Sequence, residues 1–198
     1  MRARLALSAV GYNVKIREID LREKAPLFLE TSPKGTVPVL VLPDGTILDE
    51  SLDIVDFACQ LPQGETLRLN EASQDQYDHL LNVFNDGALS AIYHYKYPER
   101  YPEINTQHAL AILLSFLKNL DDALGDQLCL ASNTPTKADI VFLPFIRQLE
   151  MIDAQWFASQ TIPRVHGWLR RFIESDSFSL IMCKYAYWSE GDQEPLLL

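Results

Sequence analysis

The chain has 198 residues, of which 47% are apolar, enough to bury a core and to exclude global disorder. Its 17 basic side chains stand against 27 acidic ones, a formal net charge of −10, which argues against nucleic acid and against an anionic membrane surface as partners. Three scattered cysteines (Cys59, Cys129 and Cys183), with no Cys-x-x-Cys pair, fit a reducing compartment and offer neither a disulfide framework nor a zinc knuckle.

Residues 2–11 read as a helix stopped by Gly11. Tyr12, Asn13 and Lys15 interrupt the apolar stretch too soon for a signal peptide. No apolar run reaches the roughly 18 residues that span a bilayer, so a soluble, cytoplasmic protein is expected. Val14, Ile16 and Ile19 alternate with polar residues and predict a short strand, and residues 24–31 predict a short helix. The run Val37-Pro38-Val39-Leu40-Val41-Leu42 reads as a buried strand. Pro43-Asp44-Gly45-Thr46 turns the chain, and Ile47 and Leu48 return it as a hairpin. Ser51 then opens a helix through Ala58, with Leu52, Ile54, Val55 and Ala58 at helical spacing.

Leu61-Pro62-Gln63-Gly64 breaks that helix, and residues 61–70 read as a linker. No strand is expected beyond Glu71. Apolar residues recur at helical spacing over 73–95, 103–124, 137–151 and 163–174. The predicted organisation is a small α/β unit over 1–60, the linker, and an all-helical unit over 71–198.

Three local features between Ser32 and Ser51 could bind a ligand. Pro38 sits awkwardly inside an apolar strand, because proline donates no ladder hydrogen bond. It is either an edge-strand proline or the second half of a cis Val37–Pro38 bond that turns the Val37 backbone outward to an extended ligand. Glu50-Ser51 stands where a helix begins, so it is either a plain N-terminal cap with an acidic neighbour or a pair that grips an amine and a carboxylate. Lys34 is either a solvated loop lysine or the partner of a second carboxylate.

Taken in order, Ser32-Pro33-Lys34-Gly35-Thr36-Val37-Pro38-Val39-Leu40, Asp44-Gly45 and Asp49-Glu50-Ser51-Leu52-Asp53-Ile54 resemble the N-terminal domain of cytosolic glutathione transferases, most of all bacterial members of the cysteine-type branch. The resemblance implies a thioredoxin-like domain followed by an all-helical domain. Val37, before a cis Pro38, would pair with the cysteinyl backbone of glutathione. Glu50 and Ser51 would hold its γ-glutamyl end, and Lys34 would lie near its glycyl carboxylate. Thr136-Lys137-Ala138-Asp139 is a capping box at the start of a buried helix, a recurrent structural feature of this family's helical domain.

The chain departs from the family pattern at its start. Met1-Arg2-Ala3-Arg4-Leu5-Ala6-Leu7 resembles the part of the first helix just after the catalytic Cys, so the resemblance leaves the first strand and the catalytic position unfilled. The expectation is therefore a truncated thioredoxin-like unit, weakened or rearranged where that strand would lie, with an internal methionine as its recorded start. The Arg2–Arg4 helix end would keep some positive field, and all three cysteines are expected to be buried structural thiols.

His79, His94, His108 and His166 show no metal-site spacing. Tyr93 and Tyr97, ending a long helix, would either line a co-substrate pocket or pack at the helix terminus. Asp121-Asp122 reads as a solvated face, and Tyr185, Tyr187 and Trp188 as covers for the pocket or for another subunit. The resemblance implies glutathione as substrate, no cofactor, a small electrophile or disulfide as second substrate, and a homodimer. The complete form would conjugate glutathione or run thiol transfer; a non-catalytic glutathione-binding or scaffold protein is the alternative.

Overall fold

The computed structural model describes residues 1–197. Contacts divide it into two units, one formed by Met1–Arg68 with the stretch from Ile173 onward, the other by Leu69–Phe172. The sequence pattern predicts one helical unit for everything after residue 71; the difference lies in the final segment, which folds with the N-terminal residues.

The first unit opens with α1 (Arg2–Ala9), which ends in a turn at Gly11 with φ 61°. β1 (Val14–Lys15), α2 (Pro26–Thr31), β2 (Leu40–Val41), β3 (Ile47–Leu48) and α3 (Ser51–Gln60) come next in the chain. β2 and β3 pair antiparallel, Leu40 opposite Leu48 and Val41 opposite Ile47, as the Asp44-Gly45 turn predicts. The expected buried strand over 37–42 is corrected. Leu40 is buried but Val41 is exposed, because side chains of a two-stranded hairpin alternate between core and solvent, and Val37 lies ahead of β2 and is exposed as well.

Beyond the 3₁₀ turns of Pro62–Leu67 the unit resumes at α10 (Asp176–Ile181) and ends in β4 (Leu196–Leu197). β4 pairs antiparallel with β1, Val14 opposite Leu197 and Lys15 opposite Leu196. This corrects the expectation of no strand after Glu71: two residues carry no readable period, and their partner lies at the other end of the sequence. Leu197 joins Ala3, Leu7, Leu40 and Ile54 in one buried cluster, with Tyr12, Val14, Ile16, Leu42, Leu48 and Phe57 packed against it. The Ile16 N–H donates to the Pro195 carbonyl at 2.8 Å and the Trp188 N–H to the Glu18 carbonyl at 2.8 Å. Glu194 bridges Lys15 and Arg17, and the Arg17 guanidinium lies 4.4 Å from the Trp188 ring centroid.

The expected linker is more ordered than its residues suggest. Leu67 is buried, and a Cβ on Gly64 would lie 2.1 Å from the Ala58 carbonyl oxygen, so only glycine permits this approach to α3.

The second unit is helical: α4 (Glu71–Val83), a π-helical turn over Phe84–Ala88, α5 (Leu89–Lys96), α6 (Thr106–Leu124), α7 (Lys137–Ile152), α8 (Ala154–Ser159) and α9 (Pro163–Ile173). Asn70 and Asn105 cap α4 and α6, and Gly125 at φ 52° ends α6. Phe84, Phe116 and Phe142 meet with ring centroids 5.4–5.8 Å apart at its centre. The capping box forms as expected. The buried Asp139 carboxylate also accepts the Leu130 N–H and the Trp168 indole N–H, each at 2.8 Å. Burial pushes this carboxyl above its ordinary range, while the surrounding donors pull it back.

Asp121 is not on a solvated face. It is 7% exposed and accepts the N–H groups of Arg164 and Val165 at 2.8 and 2.9 Å, closing the first turn of α9. Among the thiols, Cys59 is buried, Cys129 is half-buried and Cys183 is exposed, so the expectation of three buried cysteines fails at Cys183. Among the described residues, no helix is long and apolar enough to cross a membrane.

Candidate functional site

The candidate residues lie along a path from the end of α2 to the start of α3. Gly35 turns the loop at φ 60°, with its N–H on the Ser32 carbonyl at 2.8 Å. The Val37–Pro38 bond is cis, and Val37 is 49% exposed beside it. Among the described residues, no backbone hydrogen bond outside the helices and strands takes in Val37, which suits a backbone edge that pairs with something extended. The return of the hairpin is held by the Asp44 carboxylate, which accepts the Thr46 N–H at 2.9 Å.

The hairpin delivers Asp49, Glu50 and Ser51 to face the Lys34 loop. Lys34 Nζ lies 3.0 Å from Asp49 Oδ2 and 3.1 Å from Glu50 Oε1. The hydrogen bond to Asp49, and then that to Glu50, raise the Lys34 ammonium above its ordinary value. Glu50 occupies the cap position of α3 in extended conformation, φ −115° and ψ 137°, and its side chain makes no capping bond. Ser51 is the first helical residue rather than the cap. Its hydroxyl receives Arg2 Nη1 at 3.5 Å, across from the first turn of α1. Sequence reasoning assigns Arg2 and Arg4 only a shared field; the two side chains have different partners. Arg4 is ion-paired with Glu18 and donates to the Ile181 and Cys183 carbonyls, each at 3.4 Å.

Thus Lys34, Glu50 and Ser51 come together at one end of α3, with Val37 and Pro38 on the path between them. Tyr93 and Tyr97 belong to the second unit. Tyr93 is 46% exposed, and Tyr97 comes just after α5 with the Lys96 and Arg100 cations 5.1 and 4.7 Å from its ring centroid. The C-terminal aromatics pack on the first unit, Tyr185 beneath Arg4 and Trp188 beneath Arg17. His94 meets Tyr101 edge-on, and the His166 Nε2 lies 3.1 Å from the Gln160 carbonyl. Among the described residues, no cluster of three metal-ligating side chains forms.

The family model of the glutathione S-transferase N-terminal domain matches residues 1–66, and that of the C-terminal domain matches residues 87–171. The chain belongs to the glutathione S-transferase family. The fold agrees with solved members. A glutathione S-transferase from Xanthobacter autotrophicus py2 superposes with TM-score 0.65 at 22% identity, over 89% of this chain and 88% of that one. A glutathione transferase family member from Pseudomonas fluorescens pf-5, solved with two glutathione bound, gives 0.75 at 19% identity, over 91% and 86%. Glutathione transferase Omega 1C from Trametes versicolor gives 0.74 at 19% identity, over 91% and 84%.

Proposed function

We propose that this glutathione S-transferase family chain binds glutathione along Lys34, Val37, Pro38, Glu50 and Ser51. The observation that carries the reading is the meeting of Lys34 with Glu50 at 3.1 Å, across sixteen residues of sequence, next to an exposed Val37 backbone. Glutathione bound by family structures such as the Pseudomonas fluorescens member supports it. Glu50 takes the ligand's ammonium group, Ser51 its γ-glutamyl carboxylate, and the Val37 backbone its cysteinyl unit. An extended tripeptide spans about 10 Å. Lys34 therefore leaves Glu50 to reach the glycyl carboxylate, at small cost, since an exposed ion pair contributes little.

With its backbone so held, the cysteinyl thiol is offered to a small electrophile or a disulfide. The thiol gives its proton to water, and the thiolate either displaces the leaving group of the electrophile, such as halide, to form a thioether, or attacks one sulfur of the disulfide to form a mixed disulfide as the S–S bond breaks and the other sulfur departs as a thiolate. The reading puts this chemistry in the cytoplasm, in a homodimer. A second reading is a member that binds glutathione without turning it over.

A glutathione-affinity column separates the possibilities. Retention with turnover of an aryl halide or a mixed disulfide selects the transferase, and retention alone selects the binding protein. Ser51→Ala should weaken retention about tenfold, the worth of one hydrogen bond to a charged group. A chain that passes through unretained, or a variant retained as well as the parent, would remove the assignment.

A further inference from the structure

We propose that the cavity between the edge of β1 and the C-terminal segment is a binding site for an uncharged, planar heteroaromatic lactam, a fused ring that bears a carbonyl beside an N–H. The cavity lies inside the first unit, and none of the residues proposed to bind glutathione lines it.

Two backbone hydrogen bonds frame it. The Trp188 N–H donates to the Glu18 carbonyl and the Ile16 N–H to the Pro195 carbonyl, each at 2.8 Å. Between those anchors the chain makes a turn of its own. The Ser189 N–H donates to Asp192 Oδ2 at 2.8 Å, and the Asp192 N–H to the Ser189 carbonyl at 3.0 Å. Glu194 is tied to Lys15 and Arg17 on the strand. Strand and loop border a cavity of about 320 Å³, which limits its occupant to a small molecule.

The lining sets the chemistry of that occupant. Ile16 and Pro195 supply apolar walls. Tyr187, 59% exposed, supplies a ring on which a flat molecule can stack. The indole N–H of Trp188 is buried and meets no hydrogen-bond acceptor. A buried donor without an acceptor carries its whole desolvation cost, so it favours a ligand that brings a carbonyl. The Arg17 guanidinium, 4.4 Å from the ring centroid, keeps this indole in place.

Asp192 makes the opposite demand. Its Oδ2 is engaged by Ser189, and its other oxygen is an acceptor for a ligand N–H. Its charge also turns anions away. Gln193 beside it can donate or accept. A carbonyl for Trp188 and an N–H for Asp192 on one flat ring make the edge of a lactam.

Three probes test the proposal by calorimetry: carbostyril, a fused-ring lactam; N-methylcarbostyril, which keeps the carbonyl and lacks the N–H; and naphthoate, a fused ring with a charged carboxylate. Carbostyril should bind one to one, and the other two at least about tenfold more weakly. Trp188→Phe, which keeps a ring and lacks the donor, should weaken carbostyril by about tenfold. Binding should slow amide exchange at Ile16 and Trp188 and leave α6 unaffected. Equal affinity for the three probes would mark the cavity as an unselective apolar cleft. Protection away from Ile16 and Trp188 would place the ligand elsewhere. Carbostyril that fails to bind, or a silent Trp188→Phe, would leave the indole without a role. Each of these outcomes overturns the proposal. If Trp188→Phe melts too early to measure, the ranking of the probes and the exchange pattern on the parent chain decide. Saturating glutathione should leave the affinity for carbostyril within about twofold. Competition between them would overturn the proposal, whereas a chain that binds carbostyril and no glutathione loses only the glutathione reading.

Discussion

The two units reach stability by different means. The second is contiguous in sequence, centres on a cluster of phenylalanines, and fixes its helix starts with buried carboxylates: Asp139 within α7, and Asp121 of α6, which accepts the first N–H groups of α9. The first has strands of two residues and is assembled from two distant stretches, with Leu197 filling a core otherwise made by α1, β2 and α3. One unit carries its order in buried hydrogen bonds that cannot be left unmade. The other carries it in a closure that a single far-off strand completes. The residues proposed to bind glutathione lie on the second kind of scaffold.

The largest test of this contrast is Asp139→Ala. It would leave the Leu130 N–H, the Thr136 N–H and the Trp168 indole without their acceptor in a dry interior. The expected loss is about 3–5 kcal/mol, read by urea denaturation. A loss below about 1 kcal/mol would show that the box is replaceable, and that the second unit is not organised by it.

Next comes Leu197→Ala, expected to cost about 2 kcal/mol through the cavity it leaves. Amide exchange at Ile16, whose N–H donates to Pro195, should accelerate while amides of α6 keep their protection. Equal acceleration in both units would break the distinction between them.

The smallest effect is on pH. Arg17, and then Lys15, hold the Glu194 carboxyl below its ordinary range. The stability this contributes is fully present above the ordinary glutamate value of about 4.3 and is lost as pH falls through the depressed folded value. Exchange at the Trp188 amide should therefore rise on acidification below that point, and Glu194→Gln should flatten the response. An unchanged profile would show that the apolar contacts of Leu197 alone hold the strand.

These differences also explain how much can be read from the residues. Helices of the second unit declare themselves by apolar spacing over many turns, as in Leu113, Leu117, Leu120 and Leu124, all buried as expected. The hairpin turn at Asp44-Gly45 is equally local. The candidate binding residues are legible as an ordered motif, because a loop, a hairpin and a helix start occur in fixed succession. What escapes is whatever depends on distant partners. Leu196-Leu197 pairs with Val14-Lys15, Arg2 reaches Ser51, and Asp121 closes the first turn of a helix that begins some forty residues later. Asp121 and Asp122 look alike in sequence, and only the fold separates a buried acceptor from its neighbour. Gly64 reads as a helix breaker, when its role is to let backbone touch backbone.

The pairing of β1 with β4 has a consequence for synthesis. A ribosome adding about 5–20 residues per second presents the whole of the second unit before it releases the strand that completes the first. The helical unit can thus be finished while the first unit still waits, for roughly ten seconds, with Leu40 and Ile54 uncovered. A nascent chain that stalls after α9 would hold every residue of the proposed glutathione site and lack the strand that closes the core behind it.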